Sequence, residues 1–175
     1  MSAAASEIAP AATPPTHTIS VFVNNKPGVL VRVALVFSRR GFNIESLVVS
    51  PGAEGRFSRM TITCSGHRDV LQQVVKQLAK LVDVVHAIDH TADQSYEVEI
   101  ALIKLECALD ARTQILQISE HYKGRVVDFG AESLILQAHG SSEKLDALIE
   151  LLRPFRIVEL VRSGKLLMAR GGTVT

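Results

Sequence analysis

Thr18-Ile19-Ser20-Val21-Phe22-Val23 runs through Asn24-Asn25-Lys26-Pro27-Gly28 into Val29-Leu30-Val31-Arg32-Val33-Ala34-Leu35-Val36-Phe37, and the change of period along that stretch decides the fold. Ile19, Val21 and Val23 alternate with Ser20 and Phe22, the period of two expected of a strand. From Val29 onward the period lengthens. Val29, Leu30, Val33, Ala34, Val36 and Phe37 recur at helical spacing, Arg32, Arg39 and Arg40 stay off that stripe, and basic residues close the last turn, where they complement the helix dipole. Gly41 then stops the helix.

Further along, Phe42 to Ser50 and Phe57 to Ser65 read as strands joined by Pro51-Gly52-Ala53-Glu54-Gly55-Arg56, which has hairpin chemistry, so the two pair antiparallel. Val70, Leu71, Val74, Val75 and Leu78 form an apolar stripe against Gln72, Gln73, Lys76, Gln77 and Lys80, and Val82 to Ile88 completes the unit as a strand. The order βαββαβ is the ferredoxin-like sandwich, two helices over one face of a four-stranded antiparallel sheet. After a polar link, His90 to Ser95, the order recurs. Its strands are Val98 to Cys107, Arg125 to Phe129, Ser133 to His139 and Arg156 to Val161; its helices are Ala111 to Tyr122 and Glu143 to Leu152. Asp110 and Ser141 stand where N-caps would satisfy orphan amides. The predicted fold is therefore α+β: two tandem ferredoxin-like sandwiches over 17–90 and 96–171, a linker at 91–95 and a short tail at 172–175. A unit of about 70 residues with one bare sheet face has little core of its own, so the faces are expected to pack between domains or subunits.

Composition narrows the function. The chain has 175 residues, 47% of them hydrophobic, and a formal net charge of +1 with both signs interspersed, which leaves no electrostatic footprint for nucleic acid or an anionic membrane. Two widely separated cysteines, Cys64 and Cys107, suggest neither a disulfide framework nor a CxxC metal site, and both read as packing residues in a reducing compartment such as the cytoplasm. Met1 to Thr16 is rich in Ala, Pro, Ser and Thr and reads as a disordered tail, without the charge pattern of a secretory or transit signal. No segment approaches the roughly 20 apolar residues of a membrane span.

The strongest chemical feature is the strand-to-helix junction Asn24 to Gly28. Unpaired backbone N–H groups gather at a helix start, the dipole favours a carboxylate there, and Gly28 lets a ligand approach without a Cβ in the way. Asn24 and Asn25 add acceptors for an ammonium group and donors for a carboxylate. The competing reading is structural: Asn-Asn makes a turn and Pro27 opens a helix at its preferred position. Composition alone does not separate the two.

The wider pattern does. Val23-Asn24-Asn25-Lys26-Pro27-Gly28-Val29-Leu30, Phe37-Ser38-Arg39-Arg40-Gly41-Phe42-Asn43-Ile44-Glu45-Ser46-Leu47 and Ser58-Arg59-Met60-Thr61-Ile62 together resemble the small regulatory subunit of acetolactate synthase, also called acetohydroxyacid synthase. The resemblance continues through Lys76 to Val84, Gly140 to Ala147 and Val161-Arg162-Ser163-Gly164, and so covers nearly all of Thr18 to Gly171. It implies that the first unit is an ACT domain, that two copies pair as a homodimer, and that a branched-chain amino acid, typically valine, binds where they meet. Carried over by position, the effector site falls on Asn25 and Gly28 of one protomer, with Val29 and Leu30 nearby, and on Asn43 with its neighbour Ile44 from the other. A local turn role for Asn43 remains open. The implied partner is the catalytic large subunit of acetolactate synthase, which would carry thiamine diphosphate, Mg and FAD, while this chain needs no cofactor.

Rival constellations are weaker. His86 and His90 lie four apart on or just after a strand, where they cannot form a compact chelate, and read as surface or edge histidines. Glu97 and Glu99 share one strand face with no nucleophile or base beside them and read as solvated residues. No Ser has a nucleophile elbow, and no P-loop, Rossmann or thiamine diphosphate motif occurs. Ferredoxin-like sheets that bind RNA stack bases on exposed aromatics, but here there is no Trp, only two Tyr, and no basic stripe beside the six Phe.

Overall fold

The computed structural model describes residues 15–93, 95–172 and 175; residues 1–14 of the tail expected over 1–16, Gln94 of the linker and residues 173 and 174 lie outside them. The first unit runs β1 (Thr16–Asn24), α1 (Val29–Arg39), β2 (Asn43–Pro51), β3 (Phe57–Ser65), α2 (Arg68–Leu78) and β4 (Val84–Asp89), with sheet order β2-β3-β1-β4, every pairing antiparallel. The second runs β5 (Tyr96–Glu106), α3 (Arg112–His121), β6 (Arg125–Phe129), β7 (Ser133–Gly140), α4 (Ser142–Leu152) and β8 (Ile157–Arg162), with order β6-β7-β5-β8. The tandem βαββαβ order read from periodicity is the one observed.

Periodicity works here because each core is built from single faces. Ile19, Val21 and Val23 on β1 and Met60, Ile62 and Cys64 on β3 meet Val29, Val33 and Phe37 of α1 and Leu71, Val74 and Leu78 of α2 in one buried cluster. The second core repeats the scheme with Ala101, Ile103 and Leu105 of β5, Leu134, Leu136 and Ala138 of β7, and Ile115, Leu145, Leu148 and Leu152 of the helices. Ser141 caps α4 as expected, its Oγ accepting from Lys144 N at 3.3 Å. Asp110 does not cap α3: that position belongs to Ala111 in a helical conformation, and among the described residues the Asp110 carboxylate accepts only the neighbouring Ala111 amide.

What periodicity could not show is how the bare face of the first sheet is covered. Thr18 and Ser20 of β1 and Thr61 and Thr63 of β3 alternate with the core residues and so face away from the helices, yet all four are buried. The cover is a ribbon absent from the sequence reading, in which β9 (Leu166–Met168) pairs with Tyr96–Val98 at the start of β5. Chain leaves β8 through Ser163 and Gly164 to reach it. Gly164 adopts φ +79°, and a Cβ there would lie 3.0 Å from Ser46 Cβ and 3.1 Å from Val48 Cγ2 of β2. Lys165 Nζ donates to Glu97 Oε2 at 2.9 Å and reaches Thr18 Oγ1 at 3.5 Å.

This cover corrects several expectations. β1 begins at Thr16, which pairs with Ser65 and is no part of a tail. At the other end, Thr175 is buried and its hydroxyl accepts from the Ala169 amide at 2.7 Å, so that residue is tied down as well. His90 is not a surface histidine: its Nε2 lies 2.7 Å from Ser20 Oγ and its Nδ1 3.1 Å from Asp93 Oδ2 beneath the ribbon. His86, half-buried, stacks on Phe22 and donates Nε2–H to the Thr175 carbonyl. Glu97 is held by Lys165, and Glu99 is buried, accepting from Ser142 Oγ and from Arg162, whose other nitrogen reaches Asp146. The fourth strand starts at Val84, not Val82, because Leu81 to Asp83 form a turn that leaves Val82 exposed.

Two measurements follow. Glu99→Ala, which strands a guanidinium with Asp146 as its remaining partner, should lower unfolding free energy by about 2–3 kcal/mol. Glu106→Ala, which removes an exposed pair with Arg156, should cost less than about 1 kcal/mol, both read from urea midpoints at unchanged slope. Burial pushes the Cys64 thiol up to about 12, with Asp89 and Glu45 adding to the effect, and Cys107 has no exposed surface. The native protein should therefore show no fast-reacting thiol toward a disulfide reagent at pH 8, and two after unfolding.

Candidate effector site

β1 ends at Asn24, whose amide donates to the Asp83 carbonyl at 2.8 Å, fixing the strand end against the turn before β4. Asn25 is clamped to the β2–β3 hairpin twice: its backbone N–H donates to the Arg56 carbonyl and its Nδ2 to the Gly55 carbonyl, both at 2.9 Å. The carboxamide oxygen is left as the group Asn25 can turn toward a ligand. Lys26 and Arg32 both pair with Asp83.

Gly28 is the N-cap of α1 and sits at φ 81°, ψ −8°, in the left-handed region where a Cβ is unfavourable. Because it has no side chain, the helix start has no side-chain cap, and its first turn carries no acidic residue. Among the described residues no acceptor faces the Leu30 and Val31 amides. These orphan donors, with the positive end of the helix dipole behind them, form an anion-seeking corner.

That corner opens on a hollow of about 270 Å³, lined by Asn25, Gly28, Val29 and Leu30 together with Val49 of β2 and Met60 of β3. Four of the six residues expected at the site are thus brought together, and their neighbours supply apolar walls. Val49 and Met60 could be assigned only once strand register was known, since Val49 pairs with Met60 across the β2–β3 ladder.

Asn43 and Ile44 lie elsewhere in the protomer. Asn43 pairs with Ser65 at the opposite end of β2 from Pro51, which pairs with Ser58. Eight residues of strand put roughly 26 Å between those ends. Asn43 Nδ2 donates to Glu45 Oε1 at 3.1 Å, and Ser65 Oγ donates to the same oxygen at 2.7 Å; the two bonds, that from Ser65 foremost, hold the Glu45 carboxyl below its ordinary value. Ile44 is half-buried and packs on the first core. A bulge at Glu45 separates these two residues from the regular part of β2. β2 itself is the sheet edge, with its outer side unpaired among the described residues.

A glycine-started helix over an apolar hollow at the edge of a βαββαβ sheet defines an ACT-type unit, here followed by a second ferredoxin-like one. The family model described as an AHAS small subunit-like ACT domain matches residues 19–86, and that described as the small subunit of acetolactate synthase matches 98–171. An acetolactate synthase small subunit of Mycobacterium leprae is 45% identical over 157 residues, covering 90% of this chain and 93% of that protein. A probable acetolactate synthase small subunit of Archaeoglobus fulgidus is 43% identical over 155 residues, covering 89% and 97%. The crystal structure of the small subunit from Thermotoga maritima matches with a TM-score of 0.80 at 34% identity, over 91% of this chain and 99% of that one. The chain belongs to the acetolactate synthase small-subunit family.

Gly28→Ala forces a Cβ into the left-handed region and should lower stability by about 1–2 kcal/mol, while Gly28→Asn should cost less, because asparagine tolerates that conformation. Chemical denaturation of the two variants side by side checks the order.

Proposed function

We propose that this chain is a non-catalytic regulatory subunit that activates the acetolactate synthase catalytic subunit in the cytoplasm and confers feedback inhibition by valine or a related branched-chain amino acid. The observation that carries this reading is the uncapped start of α1, with Gly28 at φ 81°, over a hollow walled by Val29, Leu30, Val49 and Met60. Orphan amides suit the effector's carboxylate, the free Asn25 oxygen suits its ammonium, and the apolar walls suit a branched side chain. Thiamine diphosphate, Mg and FAD belong to the catalytic partner in this scheme, and this chain carries none.

The hollow is half a site, and a homodimer supplies the rest. Leu30, Val31 and Leu35 of α1 and Val49 of β2 are exposed beside the unpaired β2 edge, an apolar border suited to a second copy. Antiparallel pairing of two β2 strands about a two-fold centred near Leu47 would set Asn43 and the Ile44 main chain of one copy beside Pro51 of the other, at the mouth of its hollow. The long separation of Asn43 from Gly28 within one protomer then becomes a requirement of the site. A single methylene in an apolar slot changes affinity by only about 1–3 kcal/mol, so valine, leucine and isoleucine should overlap as effectors. Inhibition needs the effector-bound dimer to favour a less activating arrangement of the complex, by a coupling of about 1–3 kcal/mol.

The test is pyruvate condensation by the catalytic subunit, with and without this chain, across each branched-chain amino acid. Asn25→Ala and Gly28→Asp should each raise the valine concentration for half-inhibition by about tenfold or more while activation without valine persists. Undiminished valine sensitivity in both variants would sink the site assignment; absence of activation by the parent chain would sink the partnership.

A further inference from the structure

The ribbon that covers the first sheet leaves a second hollow, distinct from the one beside Gly28. It has a volume of about 560 Å³ and lies between the non-helical face of the first sheet and the β5–β9 ribbon. Val48 forms one wall, Val98, Leu166 and Met168 the other, and Tyr96 stands at its edge. The size and setting, an apolar crevice between two domains, are those of small-molecule sites, which run from about 300 to 1,000 Å³.

Among the described residues one cation lines it. Arg59 pairs in the ladders with Phe22 and Ser50, so its side chain rises from the face that the ribbon covers. It makes no ion pair among the described residues, and its only charge-related contact there is with the Phe22 ring, 5.7 Å below. Among the described residues no carboxylate lines the crevice, and the nearest acid on the ribbon, Glu97, is already held by Lys165. A lone guanidinium at an apolar wall fits an anion with an apolar body. The lack of a carboxylate disfavours a ligand that also carries an ammonium group, since that charge would be desolvated without a partner.

We propose that this crevice binds a small apolar monocarboxylate lacking an amino group, with its carboxylate on Arg59 and its hydrocarbon between Val48 and the Val98–Leu166–Met168 wall. The site is separate from the amino-acid hollow: Val48 and Val49 are consecutive on β2 and face opposite sides of the sheet. The proposal stands whether or not valine is the effector.

The test is methyl NMR of the full chain, held at saturating valine and titrated with 4-methylpentanoate, which is leucine without its ammonium group. The methyl signals of Val48, Val98, Leu166 and Met168 should shift along a saturable curve. Arg59→Gln should weaken that binding by about tenfold or more, Arg59→Lys should retain most of it, and leucine should bind there about tenfold or more weakly than the probe. The proposal is overturned if those signals stay fixed, if they move only with protein concentration, as a second copy seated in the crevice would make them, if Arg59→Gln binds the probe like the parent, or if leucine binds the crevice equally well. The spectra report directly whether each variant is folded.

Discussion

A four-stranded sheet with helices on one side has a second face that must be covered, and in this chain that need organises everything else. Thr18, Ser20, Thr61 and Thr63 are hydroxyl residues on the uncovered face of the first sheet, each flanked by core residues that point the other way. Leaving them under solvent would cost little; burying them requires partners. The segment after β4 and the second unit meet the requirement with polar chemistry: His90, at the end of the first unit, against Ser20, then Lys165 near Thr18 and the Glu97–Lys165 pair closing the flank. Gly164 exists for the same reason, since the chain can cross over β2 only where no Cβ intervenes. The seam between the units is thus built, not incidental, although the Thr63 hydroxyl is buried there without a hydrogen-bond partner.

Because of that crossover, β2 is constrained along one face as well as along its inner edge. Its inner edge pairs with β3, Ser46 and Val48 on one face touch Gly164, and Val49 on the other lines the hollow beside Gly28. Packed β-layers do not deform continuously, so a displacement of β2 by a ligand or a second copy is transmitted to the crossover and hence to the β8–β9 segment of the second unit. This gives the proposed regulation a mechanical element, with the free outer edge as its input. The bulge at Glu45 matters for the same reason: it separates Asn43 from the regular part of the strand, so the amide can be aimed without disturbing the Leu47 to Pro51 ladder.

The fold was legible in the sequence wherever one face of an element carried the core, as along Ile19, Val21, Val23 and again Leu71, Val74, Leu78, because burial by a single neighbour imprints a clean period. It was illegible where burial comes from two directions. Glu99 and His90 look like solvated residues in sequence, and only the cover from α4, β8 and the ribbon makes them interior. β9 spans three residues, too few to show any period. Of the candidate site, the loop half was legible because Pro27 and Gly28 mark a helix start and the family pattern surrounds them. Val49 and Met60 were not, since their place at the hollow depends on the register of β2 against β3, which no local signal encodes.

The division of the site has a thermodynamic consequence. A ligand held by orphan amides, one carboxamide oxygen and four apolar walls in a half-open hollow has few polar partners, and its ammonium group retains contact with water. In the proposed arrangement the second copy closes the hollow and brings Asn43, so the dimer binds the effector more tightly than the monomer does. Linkage then requires the converse: the effector must strengthen the pairing of two β2 edges by the same factor for each of the two sites it fills. Effector recognition and assembly therefore become one equilibrium. The unpaired, weakly apolar edge of β2 suits that role better than a permanently fused sheet would, because only an interface of adjustable strength can report the concentration of the molecule that bridges it.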